Sequence, residues 1–578
     1  MMKMMVNLKI NNIDVTVPEN TTILDAAKAY NISIPTLCYY PDLRINSDCR
    51  ICSVEIVGKK GLSTSCSTIV QEGMQVKTHT PRVINARKTI TELLLANHDA
   101  DCTACAKNMN CELQKLANVL GIDENRFERV LEVRPIDDHN PSLLRNPNRC
   151  IKCGRCIDVC RNIQGVNVLE PLNRGHEIII SPPFGKYLTD EFCTFCGQCS
   201  SVCPVGAIIE KDETAAVWNV LHDPQKHVIV QVAPAIRVSL GEELGQKAGT
   251  IVTGKLVSAL KLLGFTKVFD TDFTADLTII EEGNELIKRI TTGGVLPMIT
   301  SCCPGWINFA ETYYPEILDH LSSCKSPQQM FGALAKTYYA QKENIDPATI
   351  FVVSIMPCTA KKYEAKRPEM GSTENNLDVD VVLTTREIGK MLRQMGVEFE
   401  NLPETEFDEP FGKTTGAAAI FGTTGGVMEA ALRTVYEIVN KKPLESLDFM
   451  EVRGMEGIKE ASVNLGGKIV KVAVAHTLAN AKKIAEQIKN NESPYAFIEV
   501  MCCPGGCIGG GGQSYGTTSK TRKDRLASLY TVDAAMPLRK SHENPDINKL
   551  YADFLGSPLA KLSHELLHTK YKAKHRHQ

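Results

Sequence analysis

No run of apolar residues approaches the ~18–20 that a membrane-crossing helix needs. The two most apolar stretches, residues 227–235 and 350–356, are short enough to read as buried strands. Charge is balanced as well: 65 basic against 67 acidic residues leave a net charge of −2, which gives no reason to expect nucleic acid. The N-terminus alternates as a strand (Val6, Leu8, Ile10) and lacks the long apolar core and cleavage site of a secretory signal. On these grounds the chain reads as cytoplasmic. A phosphate loop is missing too: residues 249–255 approach the pattern, but Leu256 stands where a magnesium-binding Ser or Thr belongs.

What is abundant is cysteine. There are 22 in 578 residues, and 15 of them precede residue 204. Disulfide frameworks suit small secreted domains, whereas tight C-x2-C repeats in a long chain of a reducing compartment mean metal. Length alone suggests about four domains. Residues 1–80 read as a β-rich module: strands over 6–10 and 14–17, then a helix over 23–30 with Thr21 or Thr22 as N-cap. Cys38, Cys49, Cys52 and Cys66 follow. Their first gap is wider than in a plant-type 2Fe–2S loop, and four thiolates hold zinc equally well. Residues 81–122 have a helical pattern (Ile90, Leu93, Leu94, Leu95) leading into His98, Cys102, Cys105 and Cys111. A histidine one turn before a C-x2-C favours ligation, and Cys3His fits a zinc knuckle as well as an iron cluster.

Residues 123–211 contain the one internal repeat. Cys150-x2-Cys153-x2-Cys156-x3-Cys160 is followed by Cys193-x2-Cys196-x2-Cys199-x3-Cys203-Pro204. In two-cluster ferredoxins the fourth cysteine of each run ligates the other cluster. The spacing therefore predicts one cubane on Cys150, Cys153, Cys156 and Cys203, and a second on Cys193, Cys196, Cys199 and Cys160. Arg161 stands where the second run has its proline, a minor departure. Residues 212–578 alternate β-branched runs (227–232, 267–270, 298–300, 350–355, 379–384, 497–500) with helical stretches (254–263, 275–292, 327–343, 385–395, 426–439). That pattern predicts an α/β region with mostly parallel sheets, whose ligands sit in the loops after the strands.

Three such loops carry cysteines: Thr300-Ser301-Cys302-Cys303-Pro304-Gly305-Trp306, Met356-Pro357-Cys358-Thr359-Ala360-Lys361-Lys362 and Met501-Cys502-Cys503-Pro504-Gly505-Gly506-Cys507. Adjacent side chains of an extended segment point to opposite faces, so Cys302 and Cys303 do not share a cluster. Cys303, Cys358, Cys503 and Cys507 supply the four thiolates of a cubane. Cys302 is left beside it with a thiol that can carry a proton, its ordinary pKa lying near ~8.5.

These three stretches resemble the signature motifs of the iron-iron hydrogenases, and the resemblance extends over almost the whole chain, as in the large monomeric form with four accessory clusters. It implies a multidomain fold: a β-grasp 2Fe–2S ferredoxin-like domain (1–80), a small helical His/Cys cluster domain (81–122), a two-cluster ferredoxin-like α+β domain (123–211) and a large, two-lobed α/β catalytic domain (212–578). The implied cofactors are one 2Fe–2S cluster, three accessory 4Fe–4S clusters with His98 as a ligand of one, and the H-cluster. In the H-cluster a cubane is joined through Cys507 to a di-iron unit with carbon monoxide, cyanide and azadithiolate ligands. The implied reaction is reversible reduction of protons to dihydrogen, with a ferredoxin-type carrier and maturation enzymes as partners.

Mapped by motif, Cys302 begins a proton route that Glu282, Ser322, Glu285 and Arg289 continue. Without the resemblance, Glu282 and Glu285 would read as a solvated helix face. Lys361 matches the donor to one cyanide, and Gln328 and Ser326 match other pocket positions. Met356 and Met501 fit as polarizable packing, with Ala233 and Pro234 along the wall. Two positions depart from the pattern: Ala235, where members carry serine, and Cys502, where many carry alanine. The glycine run 509–512 reads as backbone packing closely against the cluster. Cys324 reads as core, and the basic tail 570–578, with two histidines, as a solvated end. Respiratory complex I shares the N-terminal modules as a pure electron-transfer system, and assembly or sensor relatives keep the cubane ligands without the di-iron unit. Cys302 and Lys361 speak for the catalyst.

Overall fold

In the computed structural model, which describes residues 4–372 and 377–574, the N-terminal alternation becomes a five-stranded sheet. Its strands β1 (Met5–Ile10), β2 (Ile13–Pro18), β3 (Ser53–Ile56), β4 (Leu62–Thr64) and β5 (Gln75–Lys77) lie in the order β2-β1-β5-β3-β4. Leu8 and Ile10 of β1 and Val15 and Val17 of β2 face one core with the helix Ile23–Ala29. Of the two candidate caps, Thr22 is the one that opens that helix, its side chain accepting from the Asp25 amide. Pro81 opens the next helix, Pro81–Ala96, where a missing N–H costs nothing. The helix Glu112–Leu120 starts at Cys111 and ends at Gly121 in the left-handed region.

The cysteine repeat is a structural repeat. Four short strands, β6 (Leu143–Arg145), β7 (Glu170–Leu172), β8 (Ile179–Ser181) and β9 (Ile208–Glu210), make two antiparallel pairs, β6–β9 and β7–β8. Lys152 and Phe195, at the same place in the two runs, both take positive φ (57° and 59°), as do Gly154 (75°) and Gly197 (68°). Each run thus coils its backbone around its own sulfurs: the amides of Lys152 and Phe195 approach Cys150 Sγ and Cys193 Sγ at 3.4 Å.

Beyond residue 212 two four-stranded sheets carry the fold. The first has the order β11-β10-β13-β14, from β10 (His227–Val232), β11 (Lys267–Asp270), β13 (Ile350–Met356) and β14 (Val381–Thr384), all parallel. The second has the order β12-β17-β16-β15, from β12 (Met298–Ile299), β15 (Ile458–Leu465), β16 (Lys468–His476) and β17 (Phe497–Met501). β12, β17 and β16 are parallel, and β15 is antiparallel to β16. The β15–β16 hairpin is absent from the strands expected from sequence. Its signal is Gly466-Gly467, both at positive φ (60° and 88°), the turn that matches a hairpin's twist. The helix expected over 275–292 begins earlier, at Thr271, because the Asp270 carboxylate caps the Asp272 amide. The helix over 327–343 has a widened turn at Ala335–Tyr339.

The tail is not a solvated end as far as it is described. The Tyr571 hydroxyl donates to the Cys324 carbonyl (3.2 Å), and the Lys574 amide to that of Glu311 (2.9 Å). The two final histidines, His575 and His577, lie outside the described residues.

Candidate metal centre and proton path

Each catalytic stretch leaves the C-terminal end of a parallel strand. β10 runs into Ala233-Pro234, β12 into Cys302-Cys303, β13 into Pro357-Cys358, and β17 into Cys502-Cys503. The first and third belong to one sheet, the second and fourth to the other. Between them lies a buried cavity of about 80 Å³. Cys302, Cys303, Cys358, Cys503, Cys507, Lys361, Gln328, Met356, Met501, Ala233 and Pro234 all line it; Ala235 does not. The Cys358 thiol faces those of Cys503, Cys303 and Cys507. Cys302 packs with the apolar cluster around Met428 and Met501, whereas Cys303 packs with the cluster around Trp306, so the two neighbours do point apart.

Burial pushes the Cys302 and Cys358 thiols well up. Cys303 is held down at about 7, chiefly because the Cys502 thiol donates to it, against the opposing effect of burial. The Cys502 amide also points at Cys303 Sγ (3.3 Å). The glycine run packs closely on backbone, and Gly510 also lines the cavity: a Cβ on Gly510 would stand 2.0 Å from the Pro357 carbonyl oxygen, and one on Gly511 2.1 Å from that of Cys196. Any side chain there would push apart the loops that carry the thiols.

Lys361 is buried and donates to the Cys302 carbonyl (3.1 Å) and to Glu364 (2.8 Å). Ser326 does not line the cavity. Its hydroxyl turns to Glu364 (2.9 Å), which also accepts from the Gln328 amide (3.2 Å). Glu364 thus gathers three of the expected pocket residues and was missed; its signal is the i, i+3 spacing from Lys361 on one helix face.

The helix Thr271–Thr292 brings the acidic residues inward instead of to solvent: Glu281, Glu282 and Glu285 are buried. Glu282 lies beside Cys302. Burial, and then the Glu285 carboxylate, push Glu282 up to about 8, while bonds from Ser322 and the Ser301 amide oppose the shift. The Ser322 hydroxyl donates to Glu285 (3.0 Å), and the Arg289 guanidinium donates to Glu285 at 2.7 and 3.2 Å. Arg289 is half-buried, so the five residues run from the cavity towards the surface.

The accessory thiols lie near one another in sets. Cys52 and Cys66 lie 3.3 Å apart, and Cys38 pairs with Cys49. Cys156 is flanked by Cys153, Cys150 and Cys203, and Cys199 by Cys196, Cys193 and Cys160. None of the 22 cysteines forms a disulfide. His98 is buried with its Nδ1 lacking any partner among the described residues, and burial holds its pKa down at about 4. A neutral imidazole with an orphaned nitrogen beside a C-x2-C, and thiols gathered in fours, fit iron–sulfur clusters.

Residues 226–511 match the model of the iron only hydrogenase large subunit, C-terminal domain, and residues 519–574 that of the iron hydrogenase small subunit. Over 98% of this chain and 99% of the relative, the sequence is 50% identical to the NADP-reducing hydrogenase subunit HndD of Solidesulfovibrio fructosivorans. The chain belongs to the iron-only hydrogenases. It is 41% identical to iron hydrogenase 1 of Clostridium pasteurianum over 97% of this chain and 99% of that one. The hydrogenase also superposes on the apo FeFe-hydrogenase HydA1 of Chlamydomonas reinhardtii, with a TM-score of 0.57 and 43% identity, over 63% of this chain and 99% of that one. Residues 3–81 match a 2Fe-2S iron-sulfur cluster binding domain. Residues 87–126 match the NADH-ubiquinone oxidoreductase-G iron-sulfur binding region, and 140–209 the NADH-quinone oxidoreductase subunit 3, ferredoxin-like domain. The hydrogenase is therefore a multidomain oxidoreductase acting on dihydrogen, with iron–sulfur domains ahead of its catalytic domain. No helix among the described residues is long and apolar enough to cross a membrane.

The structure also brings together residues that the motifs left unassigned. Cys502 is buried, with its sulfur 3.6 Å from Gln164 Oε1, and stands against both Cys303 and Cys196. Gly305, whose Cβ would lie 2.9 Å from that sulfur, leaves it room. Cys324, Ser323 and His568 meet beside Glu285.

Proposed function

We propose that the hydrogenase interconverts protons and dihydrogen at the cavity between the two sheets, where Cys303, Cys358, Cys503 and Cys507 would hold the H-cluster through their thiolates. When bound, that group supplies the iron centre at which dihydrogen is made or split. The chain's own residues do the rest. Lys361, fixed by Glu364 and the Cys302 carbonyl, presents a cation to anionic ligands in a dry site. Met356, Met501, Ala233 and Pro234 exclude water, and Gln328 and Ser326 brace Glu364. Cys302 exchanges protons with Glu282, Ser322 and Glu285 carry them on, and Arg289 holds Glu285 in place at the surface end. The observation that supports this reading most strongly is the convergence, in one cavity, of four thiols and a fifth, Cys302, that stands beside Glu282, from which Ser322, Glu285 and Arg289 make a hydrogen-bonded line outward.

The accessory ligands follow the thiol groups. Cys38, Cys49, Cys52 and Cys66 hold a 2Fe–2S cluster in a β-grasp domain (1–80). His98, Cys102, Cys105 and Cys111 hold a 4Fe–4S cluster in a helical domain (81–122). The doubled runs hold two more in an α+β domain (123–211), before a two-lobed catalytic domain (212–578). Cys196 lines the catalytic cavity, which makes its cubane the last electron stop. Cys49 shares a surface pocket with Cys150 and Cys153, and Cys105 reaches Gly206 of the repeat module. Both N-terminal modules therefore feed the other cubane. A ferredoxin-type carrier, maturation enzymes for the di-iron unit, a monomeric state and a cytoplasmic site complete the reading, the last supported by a thiol-rich chain without disulfides. A second reading of the partner rests on the 50% identity to a subunit of an NADP-reducing hydrogenase: the chain then passes electrons within a multisubunit assembly, and native mass in extracts separates the two.

The ligand set is tested by iron analysis and paramagnetic resonance of anaerobically purified, matured protein. Roughly 20 iron atoms per chain, with one 2Fe–2S signal among 4Fe–4S signals, are expected. A content short by a whole cluster removes the corresponding assignment.

A further inference from the structure

A buried histidine adjoins the proton path but has no part in it so far. His568, 5% exposed, comes from the C-terminal segment. That segment is clamped to the stretch carrying Ser322: the Thr569 amide donates to the Ser323 carbonyl (2.8 Å), and the Lys325 amide to that of Leu567 (2.7 Å). His568 Nε2 lies 3.1 Å from Glu281 Oε2, and Nδ1 lies 2.8 Å from the Ser323 hydroxyl. That hydroxyl is in turn 3.2 Å from Glu285 Oε2.

Counting hydrogens constrains this line. Glu281 accepts from the Tyr551 and Ser563 hydroxyls and the Leu559 amide. A carboxylate receiving so many donors is ionised, so His568 Nε2 carries a hydrogen and donates. Ser323 has one hydroxyl hydrogen between two acceptors, His568 Nδ1 and Glu285. With a neutral ring and an ionised Glu285, one contact of the two has no hydrogen. One added proton satisfies both. At rest it resides on the ring, with Nδ1–H donating to Ser323 and Ser323 to Glu285, because Glu285 already accepts from Arg289, Ser322 and the Ser323 amide; in transit it sits on Glu285, with both bonds reversed. No heavy atom moves between the two arrangements.

We propose that His568 is a positioning and proton-holding residue of the relay, reached from Glu285 through the Ser323 hydroxyl. The inference rests on the path proposed above. In the transfer, the Glu285 O–H bond breaks as a Ser323 O–H forms, and the former Ser323 O–H breaks as His568 Nδ1–H forms. One proton moves and no electrons. The other groups facing His568 are Cys324, whose sulfur is 3.9 Å from Nδ1, and His564, which stacks on it at 4.6 Å with Lys288 beyond. Tyr551 faces it through Glu281.

The test is the pH profile of dihydrogen evolution by matured holoenzyme, for the parent, His568→Gln, Ser323→Ala, their double variant and Glu285→Gln, each with its iron content verified. Glutamine can bridge Glu281 and Ser323 but holds no proton. Both single variants are expected to lose about threefold or more above pH 7, where protons are scarce and a holding site limits the rate, and to stay within about twofold of the parent below pH 6, where protons are abundant. The double variant should be no slower than the slower single. Profiles that superimpose on the parent's, or a loss uniform in pH, overturn the proton-holding role while a slow Glu285→Gln variant leaves the path standing. An undiminished Glu285→Gln variant overturns the path itself, and this inference with it.

Discussion

Glu282 is the residue whose substitution is most informative. It is 2% exposed, and its carboxyl is pushed from an ordinary 4.5 up to about 8, first by burial and then by Glu285. At pH 7 the folded protein therefore holds a proton there that the unfolded chain has released. Because the folded state binds the proton more tightly, stability does not vary with this group below about 4.5, declines as pH rises from there to about 8, and levels off above. At about 1.4 kcal/mol per pH unit, the decline amounts to about 3 kcal/mol by pH 7. Glu282→Gln keeps the shape and cannot ionise. Its thermal midpoint should therefore rise relative to the parent's as pH goes from 5 to 8, while turnover falls roughly 100-fold or more because the amide passes no proton. A midpoint difference that does not vary with pH would refute the buried, protonated carboxyl. Undiminished turnover would refute its place in the path.

Cys302→Ala should lower turnover roughly 100-fold or more with iron content unchanged, and equal turnover would remove the thiol from the relay. His98→Ala should cost roughly four iron atoms per chain, measured by iron analysis, and full iron content would exclude His98 as a ligand. Cys502→Ala removes a thiol donor that stands against Cys303 and Cys196. Donors stabilise the more negative, reduced state of a cluster, so redox titration followed by paramagnetic resonance should show the cubane held by Cys303 at a more negative potential. An unchanged potential would make Cys502 plain packing.

What could be read without coordinates was whatever depends on near neighbours along the chain. β10, β11 and the helix Thr385–Met395 fall on their predicted bounds, because hydrophobic period and a capping box at Thr384 and Glu387 are local signals. Cysteine spacing likewise yields the two interleaved groups, and strand ends locate the three catalytic loops. Harder to read were features made by contact between distant segments. Ser323 and His568 are 245 residues apart and Glu281 and His568 287, so the segment just ahead of a tail that reads as solvated supplies a buried imidazole that no local signal announces. Polar type alone is uninformative in the same way: without the resemblance Glu282 and Glu285 read as a solvated helix face, and only their contacts with the stretch carrying Ser322 account for their burial. Glu364 and the hairpin at Gly466-Gly467 had local signals that the cysteine motifs overshadowed.

An anaerobic infrared spectrum of protein co-produced with maturation enzymes tests the central claim most directly. Carbon monoxide and cyanide bound to metal absorb where no protein group does. Bands in that window, weakened in Cys507→Ala with the accessory clusters intact, are the predicted result. A blank spectrum from matured protein with a full set of iron–sulfur signals would contradict the di-iron site, and with it the proton path drawn from Cys302.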